Sequence, residues 1–141
     1  MPLSNIFGIA GSGMSAQSLR LNLIASNLAN ANSVTSSDGQ PYRARHPVFG
    51  AIPSSFDDFF NAEQSQPGVS VLGIIESSAP AKRLYQPGHP MADEEGYVST
   101  PNVNRIEEMA NMISASRAYQ SNAELVKTSK ELLLRTLTLG Q

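Results

Sequence analysis

Two histidines, one carboxylate cluster and one glycine cluster are the residues of this chain whose types could do chemistry, and their spacing does not favour it. His46 and His89 stand in separate loop-like stretches with no ligand spacing between them, so turn or surface roles are expected of both rather than a metal site. Asp93-Glu94-Glu95-Gly96 gathers carboxylates but lacks the alternating positions of a calcium loop, and reads as a solvated turn. Gly8, Gly11 and Gly13 superficially resemble a phosphate loop, yet no strand precedes them and no Gly-Lys-Ser/Thr follows. None of the serines sits in a G-x-S-x-G turn. Cysteine is absent, which excludes disulfides, thiolate catalysis and cysteine-ligated metal. No enzyme, metal or cofactor and no small-molecule substrate is expected.

Behind these residues stand two long helical patterns, and the organising one is the last third of the chain. From Asn104 to Leu139 there is neither proline nor glycine. Met109, Met112, Ser116, Tyr119, Ala123, Val126, Lys130, Leu133 and Leu137 follow at steps of three and four, a heptad seam broken only by Ser116 and Lys130. Asn104 is placed to cap the first turn, with Glu107 closing a capping box and Glu108 at the positive end. Glu131 and Arg135 form an i,i+4 pair, and Gly140 stands where a C′ glycine belongs. Such a rod, roughly 50 Å long at 1.5 Å per residue, needs a partner.

The N-terminal segment carries a second seam: Leu3, Phe7, Ala10, Met14, Gln17, Leu21, Ile24, Leu28 and Ala31. Gly8, Gly11 and Gly13 each weaken a helix by about 1 kcal/mol relative to alanine, so the helix is expected chiefly from Met14 to Asn30. The two seams are expected to pair with each other; separate amphipathic helices lying on a middle domain are the alternative. Eight of the nine prolines fall between Pro41 and Pro101, so the middle should be strands and turns. Asn32–Gln40 reads as a loop with an Asp38-Gly39 turn. Strands are expected from Tyr42, interrupted at Pro47, then over Val69–Glu76, Lys82–Gln86 and Gly96–Val98. Residues 52–66, with Phe56, Asp57, Asp58, Phe59 and Phe60, read as an irregular loop anchored by its aromatics. The expected class is α+β: paired terminal helices in an antiparallel coiled-coil-like core, and a small β-rich middle. The divisions are 1–32, 33–103 and 104–141.

The helix surfaces are unusual. Arg20 is the sole charged residue in the first 37, and Arg117 the sole one between Met109 and Ala123. Exposed helix faces are normally charged; small neutral polar faces suit a helix surrounded by other helices, where a charge would be desolvated. Helices packed in a polymer, and marginal before assembly, are the expectation. The 141 residues carry a net charge of −2 and a pI of about 5.6, with no basic run, which gives no support to a nucleic-acid or anionic-membrane partner. The N-terminus has no basic n-region and no long apolar run, so a cleavable signal peptide is not expected.

Several stretches resemble a known family. Ser26-Asn27-Leu28-Ala29-Asn30-Ala31-Asn32 is similar to the N-terminal signature of bacterial flagellar axial proteins, the rod, hook and their relatives. Its continuation Ser33-Val34-Thr35-Ser36-Ser37-Asp38-Gly39-Gln40-Pro41-Tyr42-Arg43-Ala44 is similar to the proximal-rod branch of the C type. Pro87–Asp93, Gly96–Asn104, Ser114–Gln120 and Thr136–Gln141 match as well. Residues 50–66 do not, and an insertion peculiar to this chain is the expectation there.

The resemblance implies a structural subunit of the proximal rod, polymerising helically around a central channel and transmitting torque for motility. It implies as partners further copies of the chain, other rod proteins, the base adaptor, the membrane (MS) ring and the flagellar type III export apparatus. It implies a basal-body location spanning the periplasm. The residues expected to pair the helices are Leu21, Ile24 and Leu28 against Met112, Tyr119, Ala123, Val126 and Leu133. Asn27, Asn30 and Asn32, with Asn104 and Arg117, are expected to fix the loop and neighbouring subunits. Plain helix capping is the alternative for Asn32. A B-type proximal rod subunit and a secreted helical-hairpin binding module are the competing readings. The first is disfavoured by the Val-Thr-Ser-Ser-Asp-Gly-Gln link, the second by the missing charges on the outer helix faces.

Overall fold

In a computed structural model of the chain, residues 3–36, 39–51 and 68–139 are described. Helix α1 spans Leu3–Asn30 and helix α2 spans Arg105–Leu139, 28 and 35 residues, or about 42 and 52 Å at the standard rise. Between them lie four strands: β1 (Arg45–Ala51), β2 (Val69–Glu76), β3 (Lys82–Tyr85) and β4 (Tyr97–Thr100). They form two separate antiparallel pairs, β1 with β2 and β3 with β4. The class is α+β. The expected irregular loop over residues 52–66 lies outside the described residues, as do Asp38 of the expected turn and the expected C′ residue Gly140.

α1 begins eleven residues before Met14, through all three glycines. Contact with α2 outweighs the weak local propensity, and at Gly13 the missing side chain is what allows it. A Cβ there would lie 3.1 Å from Asn122 Nδ2, so the Asn122 side chain packs over Gly13 more closely than most side chains would allow. The contacts continue with Arg20 donating to Asn111 Oδ1 at 3.1 Å, and Asn27 to Glu108 Oε2 at 3.1 Å. As residue numbers rise along α1, those of its α2 partners fall.

The buried apolar side chains are Ala10, Ala16, Ile24, Ala44, Val98, Val103 and Ala115. Four of these seven are alanine, and the largest fully buried side chains are Val98 and Asn27. Alanine allows close helix approach but removes little apolar surface from water, so this core stabilises the single chain weakly.

The β1–β2 pair lies against α1. Pro47 sits within β1 opposite Ile74, tolerated because a two-stranded pair leaves its other edge free, and the register shifts between Val48 and Phe49. The β3–β4 hairpin is tied instead to the chain following α1, where Thr35 and Ser99 exchange backbone hydrogen bonds of 3.0 and 3.1 Å. Its turn requires Gly96, whose φ of 83° is left-handed and where a Cβ would meet Tyr85 Cε2 at 2.9 Å.

Candidate functional site

Among the described residues the most highly connected side chain is Asn27, in the last turn of α1 and fully buried. Its Nδ2 donates to the Arg45 carbonyl at 3.0 Å and to Glu108 Oε2 at 3.1 Å. Its Oδ1 accepts from the Arg45 N–H at 2.9 Å and the Tyr42 hydroxyl at 2.8 Å. Both donors and both lone pairs of the amide are used, and the partners fix its orientation: an N–H faces the oxygen, a carboxylate the nitrogen. Tyr42 spends its proton on Asn27, so Ser26 Oγ, 3.3 Å away, donates to Tyr42. One side chain thus joins the end of α1, the entry to β1 and the start of α2. Glu108, also buried, lies in the first turn of α2, where the helix end favours negative charge.

The neighbouring asparagines divide the rest of the junction. Asn30 Nδ2 donates to the Ser26 carbonyl at 2.8 Å, while its own carbonyl accepts from the N–H and hydroxyl of Ser33, closing the end of α1. Asn32 Oδ1 accepts from Arg105 Nη1 at 3.0 Å. Asn104 caps α2 through Oδ1, which accepts from the Ile106 N–H at 3.2 Å. Asn102 accepts from the Ala44 N–H at 2.9 Å and donates to the Ala79 carbonyl at 2.9 Å, binding the β1 entry to the segment before β3. Arg117 is exposed on the outer side of α2.

Of the expected pairing residues, Ile24 is buried, and Leu21, Leu28, Met112, Ala123, Val126 and Leu133 are half-buried; Tyr119 is exposed. The deepest positions of α2 are Glu108, Ala115 and Ser129, each one residue before a position of the apolar heptad. Asn111 and Asn122 lie on the same side. Small and polar residues face α1, and the larger apolar ones flank this line or turn outward. Ile106, Met109, Ile113, Leu132, Leu134 and Leu137 are all exposed. Tyr42, Asn102, Asn111, Asn122 and the buried role of Glu108 were not legible as site residues. The available signal was the one-residue offset of polar and small residues from the apolar seam.

At the far end of the β3–β4 hairpin, Asp93 organises the turn. Its Oδ1 accepts from the N–H groups of Tyr97 and Glu95 at 2.7 and 3.1 Å, and its Oδ2 from Arg83 Nη2 at 2.9 Å. The Tyr97 N–H above all, and then Arg83, hold its carboxyl below the usual carboxylate range against the opposing effect of desolvation. Arg83 also lies over the Tyr97 ring at 5.0 Å, and Tyr97 packs edge-on against Tyr85 at 5.2 Å. This is the carboxylate cluster of the sequence, and its geometry is that of a hydrogen-bonded turn.

Two family models match the two ends of the chain. The model of the flagella basal body rod protein family matches residues 7–35, and that of the flagellar basal body rod FlgEFG protein C-terminal region matches residues 94–139. The flagellar basal-body rod protein FlgC of Salmonella typhimurium is 54% identical over 143 aligned residues, covering 100% of both chains. That of Yersinia enterocolitica is likewise 54% identical over the whole of both. The FlgC of Borreliella burgdorferi is 36% identical over 152 aligned residues, covering 100% of this chain and 99% of its own. Full-length identity of this order shows the family: the chain belongs to the FlgC family of flagellar basal-body rod proteins and is a structural rod subunit of the basal body.

Proposed function

We propose that the chain is a subunit of the proximal rod that polymerises helically into the driveshaft and transmits torque. In this reading residues 1–32 and 104–141 form the axial core as an antiparallel coiled-coil-like pair, and residues 33–103 form a β-rich middle unit carried on it. The falling order of α2 partners along α1 supports the pairing. The observation that carries polymerisation is the run of uncovered apolar side chains along α2, from Ile106 through Met109 and Ile113 to Leu132, Leu134 and Leu137. A chain that stayed single would leave this surface in water at a cost of about 25 cal/mol per Å².

Tight packing of such helices gives a tube of low compressibility, as torque transmission requires. The partners are copies of the chain, other rod proteins, the base adaptor and MS ring, reached through the flagellar type III export apparatus. The location is the rod where it spans the periplasm. A weakly stabilised single chain suits passage through a narrow export channel. Deleting the gene and restoring it on a plasmid tests the reading: swimming should vanish and return. A deletion strain that swims normally overturns it.

A further inference from the structure

Beside the junction lies an open groove of about 640 Å³, formed where the β3–β4 hairpin stands away from the start of α2. Lys82, Arg83 and Arg105 line it, together with the exposed apolar side chains Leu84 and Ile106, the latter 82% exposed. Among the described residues no carboxylate lines it, although the chain as a whole carries a net charge of −2. Arg83 is held by Asp93, and Arg105 keeps one hydrogen bond to Asn32. A cationic rim around apolar ground matches a segment that is both acidic and apolar.

Such a segment, with three phenylalanines around two aspartates, is Phe56-Asp57-Asp58-Phe59-Phe60, between β1 and β2. Its attachment points lie far from the groove of its own chain. The ends of β1 and β2 lie together, with Ala51 opposite Val69, and the Val69 N–H donates to Ser12 Oγ at 3.1 Å. The groove lies beyond the other end of α1, beside Asn32. Ser12 and Asn30 are about 27 Å apart along the helix at its standard rise. Asp58 is seven residues from Ala51, a reach of at most about 25 Å, so meeting the groove of its own chain would demand a fully extended loop.

We propose that the groove receives the acidic aromatic segment of a second copy of the chain, Asp57 and Asp58 matching Lys82 and Arg105, and the phenylalanines covering Leu84 and Ile106. The strand ends that carry the donor segment and the groove lie at opposite ends of α1, so the contact joins head to tail and repeats from copy to copy. Such a contact builds an open helical filament where its rotation does not close into a ring. The inference rests on the polymerisation proposed above and adds to it a named contact.

Because the chain has no cysteine, the test is direct. Full-length Asp58→Cys, Lys82→Cys chain is expressed in a strain lacking the native copy, and hook–basal bodies are isolated, oxidised and run without reductant. The proposal expects a shift from monomer to disulfide-linked dimers and longer ladders, absent from either single variant, since a disulfide needs Cβ atoms about 4 Å apart. A chain incorporated but unlinked, linked within itself, or linked to a different protein overturns the proposal and leaves the rod reading standing. An unsubstituted chain absent from the basal bodies overturns both. As a second measurement, Lys82→Glu and Asp57→Lys should each reduce swimming and together restore it. Failure of the pair to restore, in proteins that remain folded by circular dichroism, also overturns it.

Discussion

At the scale of the residue, Asn27 couples three segments through four hydrogen bonds in a site without solvent. Asn27→Leu keeps the volume but strands the Arg45 N–H, the Tyr42 hydroxyl and the Glu108 carboxylate. At about 1–3 kcal/mol per unsatisfied buried group, the loss should be roughly 3–5 kcal/mol in urea unfolding, enough to unfold much of a weakly cored chain. Asn27→Asp sets two carboxylates against each other and should be less destabilising in mild acid than at neutral pH, as one of the pair takes a proton. Asp93 has the opposite dependence. Its folded pKa is depressed, so its contribution is present above the ordinary carboxylate value, near 3.8, and is lost as pH falls through the lower folded value. Hydrogen exchange at the Tyr97 amide should therefore stay protected at pH 5 and lose protection only in stronger acid, and Asp93→Asn should remove that dependence. The sequence singles out the signature asparagines by type and spacing. That Asn27 is buried against Glu108 was not legible, because the pairing spans 81 residues and no local pattern encodes it.

At the scale of the element, both helices, β2 and the cap at Asn104 could be read directly, since each depends on neighbours in sequence. β2 occupies Val69–Glu76, the stretch its β-branched run and the preceding glycine mark out. Two things depended on tertiary contact. α1 continues through Gly8, Gly11 and Gly13 because α2 supports it. The deepest line of α2 falls on Ala115 and Ser129 instead of the large apolar residues, because closely packed helices admit only small side chains between them. Gly13→Leu should accordingly force the helices apart near Asn122 and lower the thermal midpoint, despite leucine's better helix propensity; a raised midpoint would contradict the close approach. The last turns of α2 lie past the start of α1 and are exposed from Leu134 to Thr138. Trypsin should cut the unassembled chain first at Arg135 and Lys130, and later at Arg20, which packs on Asn111.

At the scale of the whole molecule, a chain whose deepest core is mostly alanine carries its large apolar side chains on the outside of its longest helix. That combination is poor for a solitary protein and apt for one whose neighbours complete it. The family likeness was legible from several short motifs taken together; the exposed apolar surface of α2 was not, since exposure becomes visible only once the helices are placed. Leu28→Asp, at a half-buried position of α1, should leave an unpaired charge at a helix contact and abolish swimming, and a motile strain carrying it would refute that face as a contact. The most direct test of the central claim is mass spectrometry of purified hook–basal bodies from cells in which the chromosomal copy carries a small affinity tag. Recovery of the tagged chain in the rod fraction, in a fixed ratio to the other rod proteins, is the expected result. Intact basal bodies from swimming cells that contain none of it would contradict the account.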